Sequence, residues 1–503
     1  MIFKNVSTLS NKIEKAFFVE QVKVYIRLIE VFCEKNNIAF QADEDVYDLD
    51  ELKSIGVVNS EDDIDNLKKI LGRDYQLFIK AVNFAVLHKN ELNGLLDKLS
   101  NTERQKVQRQ AAEKHELTLV DFFCGAGGLS LGFLQQGFNV KLANDIEDVC
   151  IQTYKYNHPE LPTDKLIQGD IKQIVDHIDE YIDENIDIVV GGPPCQGFSE
   201  ANRQRVIDDP RNKLYKYYVQ AVEKIAPKFV VMENVKGMLK VANQVVEDYQ
   251  NLRIEKDGHI YTYKVNYQIL NSQNFSVAQS RERLIYIAIR NDVMDEKNIT
   301  PEMIFEQINA SCKENKIYIL QDALDDIKPL EAPRIKNMNE VDSDVTGKKI
   351  DVNMYEECKN EYLDLINMGR DIPYLYNHKA RYLSDVNYEI YKRLNPGDDA
   401  TDEKIADIMP YAHRNHCFKD KYYKLYADRP CRTITAHLRM DCHSHIHPSQ
   451  IRALTPREAA RVQSFPDDYL FWGAYLKTYM QIGNAVPPMM ARGIAAVIKM
   501  YLE

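Results

Sequence analysis

The sequence predicts an α/β protein: a doubly wound, Rossmann-like sheet, a smaller irregular domain and a helical N-terminal extension. Three observations carry this. From residue 117 onward, short apolar runs (residues 117–123, 138–143, 186–190, 229–232 and 284–289) alternate with amphipathic stretches. Strands that apolar are buried on both faces, which requires helices on either side of a mostly parallel sheet. The alternation begins late and stops after Arg290, so the core occupies only part of the chain. At 503 residues the chain is also too long for a single hydrophobic core.

Taken in order, residues 1–115 form the first unit. Residues 13–35 and 64–99 carry apolar side chains at helical spacing, and acidic stretches (42–52, then Glu61-Asp62-Asp63) lie between them. Residues 101–116 are highly charged and read as an exposed helix or linker. No chemistry is visible in this unit, so its removal is expected to spare the chemistry of the rest. Residues 116–290 are the α/β core, with helices over 129–136 and 213–225. Residues 291–430 are charged, tyrosine-rich and without a sustained period, whereas 431–503 regain order and end in an amphipathic helix over 487–502.

Bulk composition narrows the class. With 45% hydrophobic and 28% charged residues the chain is a soluble globular protein. No apolar run is long enough for a membrane span, and Met1-Ile2-Phe3-Lys4-Asn5-Val6 opens neither a secretory signal nor a transit peptide. A cytoplasmic protein is expected. The 9 cysteines are odd in number and dispersed, with no CxxC pair, which points to reduced thiols rather than a disulfide framework. A net charge of −12 excludes indiscriminate nucleic-acid binding, because a duplex repels an acidic surface. Any DNA-binding reading must therefore place positive charge locally.

Four blocks carry chemistry. Asp121-Phe122-Phe123-Cys124-Gly125-Ala126-Gly127-Gly128 ends a predicted strand and opens a predicted helix; glycines there allow a tight turn and close backbone approach to a ligand, or simply a tight turn. Asp145 follows at the next strand's end, where a carboxylate accepts from ribose hydroxyls, and Asp170 stands where an adenine amino group would meet it. Gly191-Gly192-Pro193-Pro194-Cys195 places a thiol in a rigid loop at a strand's carboxyl end; with no cysteine or histidine at ligand spacing, a nucleophile is favoured over a metal ligand. Glu233-Asn234-Val235 ends the following strand, and its carboxylate suits either solvent or, when protonated beside a nucleophile, donation to a ring nitrogen. In Gln279-Ser280-Arg281-Glu282-Arg283, period two sends Arg281 and Arg283 to one side and Glu282 to the other, suiting a base carbonyl and a phosphate, or solvent.

In this order the blocks resemble the motif series of the DNA (cytosine-5)-methyltransferases. Two later segments extend the resemblance. Arg452-Ala453-Leu454-Thr455-Pro456-Arg457-Glu458-Ala459-Ala460-Arg461-Val462-Gln463-Ser464-Phe465-Pro466 looks like the segment that organises that family's target-recognition domain. Gln481-Ile482-Gly483-Asn484-Ala485-Val486-Pro487-Pro488 looks like its last motif. The resemblance covers residues 117–290 and 430–503. It departs at Asp145, where the family often has glutamate, and at residues 274–278, which lack its usual glycine and proline.

The resemblance implies an S-adenosylmethionine-dependent methyltransferase of the bacterial or phage restriction-modification type, acting on double-stranded DNA. Cys195 would add to C6 of a flipped cytosine, Glu233 would bond its N3 edge, Arg281 its O2 side, and Arg283 would support the loop or a phosphate. Phe123, Gly125, Gly127, Gly128, Asp145, Ile146, Asp170 and Ile171 would form the cofactor pocket, closed by Asn484 and Val486. Residues 291–430 take the place of the recognition domain, and Lys379, Arg381, Tyr382, Arg393, Lys419 and Lys421 are candidates for the local positive charge. A cognate restriction endonuclease is a conceivable partner system. Cys442, His443, His445 and His447 alternate as on one strand face rather than around a tetrahedral metal, so no metal is expected. Rival readings are an RNA cytosine-5 methyltransferase, a non-catalytic regulator with this fold and, from the glycine loop alone, a dehydrogenase.

Overall fold

The computed structural model describes the whole chain except residues 1–2, 93, 97, 100, 115, 195–212, 257, 337–340, 354–359 and 411–420, and the side chains of 101, 102 and 213. Its centre is a seven-stranded sheet built from β1 (Leu117–Phe122), β2 (Phe138–Asp145), β3 (Leu166–Gln168), β4 (Ile188–Gly191), β5 (Phe229–Asn234), β6 (Tyr263–Asn271) and β7 (Glu282–Arg290). The spatial order is β3-β2-β1-β4-β5-β7-β6. The first five strands pair in parallel, and β7 is antiparallel to both β5 and β6. Strand order reverses between β1 and β4, and ligands of doubly wound sheets bind at the carboxyl ends beside such a switch.

The period-two rule divides each strand between two cores. Leu119, Phe229, Val231, Ile285 and Ile287 enter one hydrophobic cluster, and their neighbours Val120, Val230, Met232, Leu284 and Tyr286 enter another on the opposite face. The helix Lys213–Ile225 covers the second face through Tyr218, Ala221 and Val222. The first face is covered by Gly128–Leu134 and by the C-terminal helix Pro488–Leu502. The predicted α/β class holds. Two strands escaped the sequence reading: β3 is three residues long, too short to show a period, and β6 is an edge strand whose mixed burial blurs the alternation.

Outside the sheet the differences are larger. Helices Asn291–Lys297 and Pro301–Ser311 break the irregular reading of 291–430, and Ile304, Phe305 and Ile308 belong to the same core as β7. A hairpin of β8 (Gly347–Val352) and β9 (Tyr374–Lys379) follows. The N-terminal unit is not a free extension. Its helix Lys12–Asn36 packs on β8, with Arg27 Nε donating to the Ile350 carbonyl at 3.0 Å. Residues 3–99 share a single hydrophobic cluster with Tyr156, Ile350, Tyr374, Tyr376, Leu470 and Trp472. The helix Asn101–Glu113, expected to be exposed, is docked as well: buried Arg104 donates to the Lys98 and Lys155 carbonyls.

The histidine-rich segment forms a turn rather than the strand its alternation suggested. The Cys442 thiol donates to the Leu438 carbonyl, His443 stacks on Tyr422, and His447 lies 3.7 Å from Glu458. Burial holds His378, His443 and His447 at about 4 and His445 at about 3. The unfolded chain therefore binds protons that the fold refuses as pH falls through about 6.5, the ordinary histidine value. Stability is full above that value and is expected to fall towards pH 4, by up to ~1.4 kcal/mol per pH unit for each histidine. Thermal melts between pH 7 and pH 4 check this, and a melting temperature flat across that window would contradict it.

Candidate functional site

Read across the sheet, the carboxyl ends of β3, β2, β1, β4 and β5 carry Asp170, Asp145, Phe123–Gly125, Gly192–Pro193 and Glu233 in that spatial order. One edge therefore collects residues spread over more than a hundred positions. After β1 the backbone turns sharply: Phe123 has φ +58° and Gly125 φ +52°. A side chain at Phe123 tolerates that region only at a cost, and such strain collects at functional turns. A Cβ on Gly125 would meet nothing within 4 Å, so its glycine answers to backbone conformation and the loop stays open on that side. The Gly125 amide donates to one Asp145 oxygen at 2.9 Å, and the Glu147 amide donates to the other at 2.8 Å. Burial pushes the Asp145 carboxyl up, against the pull of those two amides.

Beside Asp145, Ile146 is 66% exposed, an apolar surface at a polar strand end. Asp170 is exposed and caps the next helix through the Lys172 amide, whereas Ile171 is buried in the core with Phe122 and Leu142. Gly127 and Gly128 face protein. A Cβ on Gly127 would come within 2.7 Å of His158 Nε2 and the Tyr469 hydroxyl, and one on Gly128 within 2.3 Å of the Val486 carbonyl. Asn484 is exposed at the end of the helix Tyr475–Asn484. Phe123, Gly125, Asp145, Ile146 and Asp170 thus form an open row, while Gly127, Gly128 and Val486 pack together behind the turn and Ile171 lies in the core of the opposite sheet face. Exposed apolar Ile146, a half-buried carboxylate and an open glycine turn fit an adenosine-bearing group.

The acid and the proline loop are tied together. Asn234 Nδ2 donates to the Pro193 carbonyl at 2.9 Å. A Cβ on Gly192 would lie 3.1 Å from Glu233 Oε2, so glycine lets the loop pass close to the carboxylate. Glu233 is buried and pairs with Arg283, Nε to Oε1, at 2.9 Å. Cys195 lies outside the described residues, two positions beyond Pro193. Sequence reading missed Asn234 as the tie, because an asparagine after a strand-end acid carries no local signal.

The two arginines part company. Arg281 is buried, and its guanidinium donates to the carbonyls of Ile434 at 2.7 Å and Gly483 at 3.1 Å. Burial holds its pKa well below the usual arginine range. Gln279 makes a parallel link, accepting from the Ile434 amide and donating to Gln463, which itself reaches the Ile482 carbonyl. The strand leading into β7 is thus sewn to the C-terminal segment, and only Arg283 reaches the acid.

The C-terminal organising segment is a buried ionic spine: Arg452 pairs with Glu458 and Arg461 with Asp467, all fully buried. Arg457 donates to the carbonyls of Tyr376, Pro466 and Tyr469, linking the hairpin to the core. Of the cations proposed for DNA, Lys379 pairs with Asp342, Arg393 with Asp407 and Lys421 with Asp441; Lys419 lies outside the described residues. Arg381 differs: it donates to the carbonyls of Leu438, Arg439 and Met440. Beside exposed Arg439, this leaves positive charge on a surface turn joined to Arg281 through Ile434. Among the described residues no helix is long and apolar enough to cross a membrane.

Comparison with known proteins agrees with this geometry. The chain is 30% identical over 410 residues to the type II methyltransferase M.DdeI of Desulfomicrobium norvegicum, covering 77% of this chain and 89% of that protein. It is 32% identical over 400 residues to the type II methyltransferase M1.HphI of Haemophilus parahaemolyticus, covering 76% and 87%. A crystal structure of a prophage-encoded E. coli protein assigned as a DNA modification methyltransferase superposes with a TM-score of 0.58 at 25% identity, over 77% of this chain and 99% of that one. Residues 117–500 match the family model of the C-5 cytosine-specific DNA methylases. The chain therefore belongs to that family: it is a DNA (cytosine-5)-methyltransferase of the restriction-modification type, and its family and fold imply the use of S-adenosylmethionine.

Proposed function

We propose that the enzyme methylates a cytosine flipped out of duplex DNA through a covalent bond between Cys195 and C6. The observation that carries this reading is the bond from Asn234 to the Pro193 carbonyl. It ties the loop leading to Cys195 to the strand bearing Glu233, one strand away from the glycine turn. A stacked base cannot reach a crevice at the sheet edge, so the base must leave the helix. The Cys195 thiolate adds to C6, which gives C5 the electron density that cytosine otherwise lacks. Glu233 bonds the N3 edge and steadies the charge developing there. Once C5 carries the methyl group, loss of its proton re-forms the C5–C6 double bond and expels the cysteine as thiolate. S-adenosylmethionine supplies the methyl group when bound, with Asp145 and Asp170 holding its sugar and base, Ile146 and Phe123 flanking the adenine, and Asn484 beside the loop.

For the arginines we propose roles reversed from the sequence expectation. Arg283, paired with Glu233, meets the O2 side of the base, and Arg281 is a positioning residue whose two terminal guanidinium nitrogens donate to Ile434 and Gly483. Arg283→Ala is then expected to lower kcat by ~10²-fold, the size of a lost oxyanion-type donor. Arg281→Ala is expected to lower the melting temperature foremost. Kinetics and melts on both variants check this; equal melting losses and an unchanged kcat for Arg283→Ala would refute the assignment.

The overall reading is tested by transfer from labelled S-adenosylmethionine, with duplex DNA and total tRNA offered separately. Label as 5-methylcytosine in DNA alone supports it, and label in tRNA alone refutes the substrate. We further propose a cytoplasmic setting in which the mark protects a site from a cognate endonuclease, and a recognition role within residues 291–430. Charge supports DNA contact at the Arg381–Arg439 turn, whose two arginines pair with no carboxylate among the described residues, in a chain of net charge −12.

A further inference from the structure

The glycine turn is held from beneath by groups that the mechanism above does not use. The Tyr469 hydroxyl donates to the Ala126 carbonyl, in the middle of the turn closed by the Gly127 amide on the Cys124 carbonyl at 2.8 Å. His158 Nε2 lies 2.9 Å from that same hydroxyl, and His158 Nδ1 lies 3.0 Å from Glu160. Tyr469 and His158 are each 2% exposed. Beside them the Tyr154 ring packs on His158 at 4.2 Å, and Tyr154 bonds Ser130, which donates to the buried carboxyl of Asp121. Gly127 lacks a side chain because His158 and Tyr469 occupy that space. Its conformational demand, φ +84°, is met by the same residue.

We propose that Tyr469, oriented by His158 and Glu160, is a positioning residue for S-adenosylmethionine. By fixing the Ala126 carbonyl it sets the Ala126–Gly127 peptide plane, and with it the turn whose open side, at Gly125, faces the cofactor. Asp145 fixes the same turn from the side through the Gly125 amide, so the turn is pinned at two points. Tyr469 comes from the C-terminal segment, 343 residues away from Ala126. Cofactor binding is therefore coupled to the folding of that segment. This rests on the reading that the glycine turn takes S-adenosylmethionine.

The test is calorimetric binding of S-adenosylmethionine to the full-length enzyme and its variants, with duplex DNA affinity measured alongside. Tyr469→Phe removes only the hydroxyl and is expected to raise the Kd for S-adenosylmethionine by ~10-fold, the worth of one buried hydrogen bond. The KM for S-adenosylmethionine should rise more than kcat falls, and DNA affinity should not change. A folded Tyr469→Phe enzyme with wild-type cofactor affinity overturns the proposal, as does an equal loss of DNA affinity. Should that variant not fold, His158→Gln and His158→Leu decide: glutamine, keeping a polar contact to Tyr469, should retain affinity that leucine loses. Equal affinities for the two overturn it. Wild-type enzyme that binds no S-adenosylmethionine refutes the underlying reading, and the proposal falls with it.

Discussion

Cys195→Ala is expected to reduce methyl transfer to background, a loss on the order of 10⁴-fold or more, equivalent to ~5 kcal/mol of transition-state stabilisation. Binding of S-adenosylmethionine should survive, because Phe123, Gly125, Asp145 and Asp170 lie at the ends of other strands. The effect is large because Cys124, a second thiol at the carboxyl ends of the strands, does not take the place of Cys195. Cys124 is buried behind the glycine turn, where burial pushes its thiol well above the ordinary range. A nucleophile must be a thiolate and reachable, and Cys124 is neither. Duplex DNA carrying 5-fluorocytosine gives a second readout. Fluorine cannot leave as the C5 proton does, so the wild-type enzyme should remain bonded to the base while Cys195→Ala should not. Methyl transfer by Cys195→Ala at a tenth of the wild-type rate would remove Cys195 as nucleophile.

Deleting residues 1–115 should leave a protein that does not fold stably, contrary to the modular picture the sequence suggests. Truncation would uncover Tyr156, Tyr376, Leu470 and Trp472, each at most 1% exposed in the intact chain. Large apolar side chains lose ~1.5–3 kcal/mol each on exposure. Four such losses approach the whole stability of an ordinary domain, ~5–15 kcal/mol. Phe17, whose ring centroid lies 5.4 Å from that of Trp472, and Arg27 on the Ile350 carbonyl would go at the same time. The expected result is aggregation, or a melting temperature lower by more than ~10 °C. A monomeric, active truncation melting within a few degrees of the full chain would restore the modular view.

Much of the core was legible because its signals are local. β1, β2, β4, β5 and β7 announced themselves as apolar runs, and the helix Lys213–Ile225 was predicted to the residue. Sheet strands buried on both faces must read that way, and a loop that follows each strand at its carboxyl end must face the same edge. Glu233, Asp145 and the glycine turn could therefore be placed on one edge without coordinates. The short β3 and the edge strand β6 gave no such pattern. Helices within 291–430 were overlooked although their spacing is helical, as in Pro301–Ser311, which buries Pro301, Ile304, Phe305 and Ile308; each is short and set among irregular stretches, so no single period runs through the region.

What the sequence by itself determined is the chemistry: which side chains stand at strand ends and which family's motif order they follow, since both are written in contiguous residues. Tertiary structure alone decided the partnerships. Arg281 and Arg283 are two positions apart with the same charge, yet one is spent on Ile434 and Gly483 and the other meets Glu233. Tyr469 reaches Ala126, and the N-terminal helices close over Trp472. Such contacts join residues up to hundreds of positions apart, and whether a buried polar group meets its partner depends on packing in three dimensions. No local period or spacing encodes that.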